Sequence, residues 1–301
     1  MRYATAAAFK DALEHRLRAS FPGGVDRARQ LVVFSRFLAR VVPVMGPSAV
    51  LKGGLALELR LEKARTTKDI DLALHAMPGS RDHVLGRLQE AARLDLGDFL
   101  VFSVEPDPEH PDIENDALKY DGYRFRVSCQ LAGRQYGRPF FGVDVVLGEP
   151  LLGEPDELDT EDWLGFAELP PPRVRVYPVE THIAEKLHAY TMPRERTNSR
   201  MKDLPDLALL GTIAALERER LRAVIGGTFR FRATHDLPRS VPEPPPDWSA
   251  RYVQLAIREE LRWRTLPELI ERVRAFLDPV LSLSSTAARW DVDSWSWLET
   301  E

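Results

Sequence analysis

The spacing of apolar positions changes several times along the chain, and each change marks an element. Between residues 26 and 42, Leu31, Phe34, Leu38 and Val41 recur at intervals of three and four, which lays an apolar stripe along one side of a helix. Pro43 is expected to close that helix. A shorter helix with a mixed face is expected near 7 to 19. Ala49 to Leu51 then reads as a strand, Gly53-Gly54 as a turn and Leu55 to Leu61 as a short helix. From 69 to 75 the period becomes two, with Asp69, Asp71, Ala73 and His75 opposing Ile70, Leu72 and Leu74. Ser80 caps a helix whose apolar side is Val84, Leu85, Leu88 and Ala92, and Phe99 to Val104 is a further strand. After the turn signal Asp121-Gly122, Tyr123, Phe125, Val127, Cys129 and Leu131 alternate with Arg124, Arg126, Ser128 and Gln130. A glycine-containing loop near 132 to 138 leads from there to Phe140 to Leu147, so these two strands are expected to pair antiparallel.

Pro170-Pro171-Pro172 interrupts the pattern before an alternating stretch from Arg173 to Tyr177, which places a domain boundary between about 150 and 178. The expected division is a first domain over 1–165 and a mostly helical domain over 166–301. Helices fit near 179 to 191, 203 to 222, 249 to 263 and 266 to 277, with a proline-rich break from Pro238 to Pro246. The fold class is therefore α+β: a mixed sheet flanked by helices, followed by a mostly helical C-terminal domain.

Composition narrows the function. Among 301 residues, 29% are charged and 44% hydrophobic, an ordinary globular balance. The net charge of −5 argues against coating nucleic acid by bulk electrostatics, although a local basic face remains compatible with it. The single cysteine, Cys129, excludes an internal disulfide, fits a reducing compartment and, on an apolar strand face, reads as a packing residue. Charged Lys10 and Asp11 precede any apolar stretch long enough for a signal sequence, and no later window is read as a membrane span. The expected location is cytoplasmic, with no membrane partner.

The candidate chemistry centres on Asp69 and Asp71. Two apart on a strand, their side chains leave one face about 6.6 to 7 Å apart along the backbone and can serve one metal site. Like charges so placed repel, and a divalent cation relieves the repulsion; magnesium suits all-oxygen ligands and leaves positions for phosphate. Alone, the pair describes a solvated strand edge. Upstream, Gly53-Gly54 sits between a strand and a helix, where small residues let backbone N–H groups approach phosphate oxygens. A third carboxylate on a neighbouring strand completes a two-metal site, and Asp144 is the candidate because it interrupts the apolar run Phe140 to Val146.

Taken in order, Gly53-Gly54, Arg65-Thr66-Thr67-Lys68-Asp69-Ile70-Asp71-Leu72 and Asp144 resemble the polymerase-beta-type nucleotidyltransferase superfamily. Two later segments, Ile183-Ala184-Glu185-Lys186-Leu187-His188-Ala189 and Arg200-Met201-Lys202-Asp203-Leu204-Pro205-Asp206-Leu207, resemble the second-half motifs of AbiEii-type toxins, including the MenT toxins. The resemblance spans about residues 48 to 212. It implies an NTP-dependent nucleotidyltransferase with two Mg2+ ions on Asp69, Asp71 and Asp144. Gly53, Gly54, Arg65, Lys68 and Lys186 would then serve the nucleotide, and Asp203 or Asp206 would complete the catalytic set. It further implies a toxin paired with a separately encoded antitoxin, adding nucleotides to the 3′ end of tRNA and so blocking aminoacylation and translation.

The residues themselves leave the acceptor open. Basic stretches at Arg194 to Lys202, Arg218 to Arg222 and Phe229 to Arg232 are candidate RNA contacts, and equally ordinary helix and loop surfaces. Transfer to a protein or small-molecule hydroxyl is a second reading, and a nucleotidyltransferase fold that only binds is a third. Trp290, Trp295 and Trp297 near the C-terminus are expected to dock on the protein's own core rather than on a partner.

Overall fold

The computed structural model describes residues 3–61, 66–75, 79–113, 122–193, 200–282 and 287–300. Helix α1 (Ala6–Ser20) is N-capped by Thr5, whose hydroxyl accepts from the Ala8 amide, and packs on α2 (Val25–Met45). Pro43 does not close α2 as expected. In the last turn a proline forfeits only the bond to the Ala39 carbonyl, and the helix ends instead at Gly46, whose φ of 62° carries its N–H back to the Val42 carbonyl.

By length and composition the stretch Val25–Ser48 could cross a membrane, which corrects the reading that no window approaches a span. In the fold this helix instead lies in the core. Arg36 and Arg40 project from it onto the buried Asp98, with Arg40 Nη2 and Nη1 at 2.7 and 2.8 Å from its two oxygens and Arg36 Nε at 2.8 Å.

Strand β1 (Ala49–Lys52) leads into α3 (Gly53–Arg60), so the two glycines form the first helical turn rather than a separate turn. There follow β2 (Ile70–Leu74), α4 (Arg81–Ala92), β3 (Leu100–Pro106), β4 (Gly122–Leu131), the short β5 (Arg134–Gln135), β6 (Phe141–Leu147), β7 (Asp156–Asp159) and β8 (Arg173–Val176). Asp121 of the expected turn lies outside the described residues. Ser80 caps α4 by accepting from the His83 amide. The strands form one mixed sheet in the order β3-β4-β6-β2-β1-β8-β7, with β5 on β4. β4 and β6 pair antiparallel as expected, whereas β2–β6 and β1–β8 are parallel.

The alternation read at 69 to 75 decides what each face does. Ile70, Leu72 and Leu74 enter a core with Phe34, Phe37 and Leu88 from α2 and α4. Ala73 faces the other way, into a small cluster with Val50, Val146 and Tyr177, and Asp71 shares that face.

The sheet takes in β8, past residue 165, and the second core begins at Val179. That core is built by α5 (Val179–Thr191), α6 (Asp203–Leu210), α7 (Arg218–Arg232), α8 (Trp248–Arg258) and α9 (Leu266–Leu281). The single helix expected over 203 to 222 is two. A Cβ at Gly211 would lie 3.1 Å from the Trp295 ring and 3.3 Å from Phe276, and the chain then leaves the helix to hydrogen-bond Leu216 O with Trp290 N. The C-terminal hairpin of β9 (Ala288–Asp291) and β10 (Ser296–Glu299) causes the break. It docks on the protein itself: Trp290 is 1% exposed and donates to Gly211 O at 2.8 Å, while Trp297 stacks on Phe276.

Candidate active site

Pairing register, more than any one strand, assembles the site. Lys52 on β1 is opposite Asp71 on β2, Asp71 is level with Asp144 on β6, and Asp144 is opposite Arg124 on β4. Residues level with one another on adjacent strands point to the same face, about 4.7 to 4.9 Å apart. The sheet therefore presents a row of cation, carboxylate, carboxylate, cation. Arg124 grips Asp144 with two parallel bonds of 2.7 Å, Nε to Oδ1 and Nη2 to Oδ2.

Lys52, Asp71 and Asp144 of this row line a cleft of about 430 Å³ that also takes in Gly53, Gly54, Thr67, Lys68 and Asp69. Asp69, at the open side, accepts from the Gly142 amide at 3.1 Å. Gly53 closes against Asp71: its φ is +65°, and a Cβ there would fall 2.0 Å from Asp71 Oδ2. Gly53 and Gly54 open α3 and line the cleft, and the first amides of a helix have no partner within it.

The charge balance is strained in favour of a cation. Burial, and then the negative charge of Asp144, push the Asp71 carboxyl up to about 6, against the opposing pull of Lys52 and Lys186. Loss of hydration likewise raises Asp69 above the usual carboxylate range, despite the Gly142 amide. Among the described residues no three carboxylate, imidazole or thiol groups converge on one point as they stand, and both Asp144 oxygens are held by Arg124. The donor set nevertheless fits a hard divalent ion: three carboxylates on neighbouring strands, two of them destabilised as anions by burial and by each other.

The opposite wall is α5. Its Lys186 Nζ is bound by Asp203 Oδ1 at 3.0 Å and Asp206 Oδ2 at 2.7 Å, from the first turn of α6. Asp203 lines the cleft, whereas Asp206, 0% exposed, stands behind it and binds Lys186. Arg200 and Lys202 line the same mouth. Arg65 and Arg194 to Ser199 lie outside the described residues.

A second tier lies under Lys52. Its Nζ bonds Glu149 and lies 3.9 Å from Glu185, Arg232 joins the same two carboxylates, and the Tyr177 hydroxyl donates to Glu149 at 2.6 Å. Burial and the neighbouring Glu149 push the Glu185 carboxyl up. His182, one turn before Lys186, has both ring nitrogens without a hydrogen-bond partner; burial, then Lys186, push it down to about 3, so it is neutral. Arg232 is thus held by two carboxylates where it lines the cleft, and in the other basic stretch Arg220 pairs with Glu180 at 2.9 Å and Arg222 bonds Ser282 O.

Asp69, Asp71, Asp144, Gly53, Gly54, Lys68, Lys186 and Asp203 thus share one cleft. Sequence reasoning did not single out Arg124, Lys52, Glu149, Glu185, His182 or Tyr177. Arg124 carried a signal, a cation on the polar face of an amphipathic strand, but its partner depends on register. Glu149 carried none.

A family model described as "Nucleotidyl transferase AbiEii toxin, Type IV TA system" matches residues 36–295. Comparison with curated proteins gives no match. Among solved structures, MenT4, a nucleotidyltransferase toxin from Mycobacterium tuberculosis H37Rv, aligns with a TM-score of 0.60 at 17% identity, covering 94% of this chain and 92% of its own. JHP933 from Helicobacter pylori aligns with a TM-score of 0.41 at 16% identity, over 69% of this chain and 82% of its own. The first of these shows a shared fold.

Proposed function

From the premise that this chain belongs to the AbiEii family of type IV toxin-antitoxin nucleotidyltransferases, we propose that it is a magnesium-dependent toxin that transfers NMP from an NTP to the 3′ end of tRNA. The observation that carries this reading is the row Lys52, Asp71 and Asp144 facing Lys186 across one cleft, with Arg124 holding Asp144 from the next strand. A transferase of this kind must hold a triphosphate, neutralise the charge that develops on the transferred phosphoryl and the pyrophosphate, and take a proton from the attacking hydroxyl.

In this reading the α3 amides at Gly53 and Gly54 bind phosphate oxygens, and Lys186 and Lys68 add positive charge from either side. Asp203 and Asp206 hold Lys186 over the sheet; Asp206 is a positioning residue. Arg65 is expected to join the nucleotide-binding set. Asp69, Asp71 and Asp144 would hold the Mg2+, which when bound lowers the proton affinity of the acceptor hydroxyl and neutralises the phosphates. Until then Arg124 holds both oxygens of Asp144 in place. Buried Glu149, through Lys52, fixes the edge of the row beside the glycines.

Family membership implies a separate antitoxin partner. NTP and tRNA meet in the cytoplasm, which is where the toxin would act. There, modified tRNA 3′ ends would stop aminoacylation and hence translation. The test is to incubate the protein with each radiolabelled NTP, with and without Mg2+, in the presence of total RNA and total protein. Mg2+-dependent label on tRNA is expected from wild type and none from Asp71→Ala, which should also abolish toxicity to the expressing cell. Label confined to protein would sink the tRNA reading, and toxicity retained by Asp71→Ala would sink the enzymatic one.

A further inference from the structure

A second cavity, about 920 Å³, lies on the outer side of the Asp69 end of the sheet, between α1, α2 and the turn that joins β5 to β6. Its wall carries five lysine and arginine side chains against three carboxylates, and of the five Arg18, Arg27 and Arg29 are paired with Glu14, Glu58 and Asp26. Lys10 and Arg138, at its two rims, take part in no ion pair among the described residues, so their charge is available to a ligand. The floor includes Gln30, 3% exposed, with neither amide atom hydrogen-bonded within the protein. Such a group is costly to bury unless water or a ligand group satisfies it.

Two chain segments lead from this cavity directly into the active site. Thr66 lines both, and Asp69 is three residues further on, so their Cα atoms are at most about 11 Å apart. Arg27, in the cavity wall, donates to the Thr67 carbonyl at 2.7 Å, which fixes that segment to α2. On the other border, Arg138 precedes by four residues the Gly142 whose amide binds Asp69. A strand whose terminal hydroxyl lies at Asp69 and Asp71 has to leave the cleft, and about 11 Å corresponds to about three stacked nucleotides at ~3.4 Å each.

We propose that this cavity holds the phosphodiester backbone of the RNA acceptor strand, a few nucleotides upstream of its reacting 3′ end, with Lys10 and Arg138 on phosphates. This rests on the reading that the acceptor is RNA. Two cations without ion pairs among the described residues, beside an unsatisfied amide, suit such a strand, where cations meet phosphates and a polar side chain meets a base edge.

The full-length double variant Lys10→Ala/Arg138→Ala tests it, because neither side chain supports the fold. The probe is a tRNA pool oxidised at its 3′ ribose with periodate, so that binding is read without transfer, by fluorescence anisotropy between 50 and 200 mM salt. Loss of two phosphate contacts should weaken binding on the order of 10-fold and flatten the slope of log K against log salt by about 1.4, at ~0.7 per contact on a single strand. NTP affinity should stay at the wild-type value. RNA affinity and salt slope equal to wild type would overturn the site while leaving tRNA labelling by the wild-type enzyme intact. Wild-type enzyme that labels no RNA would overturn the acceptor reading itself, and this site with it.

Discussion

Gly53 and Asp71 are eighteen positions apart in the chain, yet neither residue's identity is free of the other. With φ at +65° and only 2.0 Å between the place a Cβ would take and Asp71 Oδ2, an alanine at 53 would carry backbone strain of about 1 to 2 kcal/mol and would also displace the carboxylate. Gly53→Ala is therefore expected to fold and to lose about 100-fold in transfer rate, the scale of effect that a displacement near 1 Å has on a reacting group. Circular dichroism would check the fold and labelled-NTP transfer the rate. Activity within a few-fold of wild type would mean that Asp71 has room to move. Both glycines and the carboxylate pair were legible as chemistry in the sequence, because their types are unusual at a strand end. Lys52 and Arg124 were not, because a lysine or arginine on the polar face of a strand is ordinary until its cross-strand neighbour is known.

Among the elements, α2 shows how an apolar pattern can carry a polar burden. Burial alone would raise the Asp98 carboxyl, but the guanidiniums of Arg40 and Arg36 outweigh it and hold it below the usual carboxylate range. A carboxyl depressed in the folded state stabilises the fold above its unfolded pKa, about 3.9, and that stability is lost as pH falls through the lower, folded value. Asp98→Asn should therefore unfold at lower urea than wild type at pH 7, by about 3 to 5 kcal/mol, since two buried guanidiniums lose their counter-charge. The gap should narrow as pH falls below 4. A gap unchanged between pH 7 and pH 3 would refute the assignment. At this scale the sequence reading succeeded for periodic stretches such as Ile70–Leu74 and Val179–Thr191, and failed at boundaries. Pro43 was compatible with a last turn, and α6 and α7 were separated by a hairpin from the far end of the chain.

For the whole molecule, that hairpin ties the second core together. Trp290 packs on Phe276 of α9 and bonds Gly211 at the end of α6, the helix that presents Asp203 and Asp206 to Lys186. Trp290→Ala is expected to cost about 3 to 5 kcal/mol, a drop of roughly 5 to 8 °C in Tm by differential scanning calorimetry. A variant that melts with wild type would show the hairpin to be an appendage.

By itself the sequence determined the kinds of element, the apolar faces and the residue types able to perform phosphoryl chemistry, because periodicity and turn preference act over neighbouring residues. Only the tertiary structure decided which of those residues meet. Register across β1, β2, β6 and β4 aligned Lys52, Asp71, Asp144 and Arg124, and α5 and α6 brought Lys186 and Asp203 to the same cleft with Asp206 behind them. The apolar alternation forbids a one-residue slip, which would turn each side chain to the opposite face, but a two-residue slip keeps the faces and would part these four residues, and only pairing between distant strands excludes it.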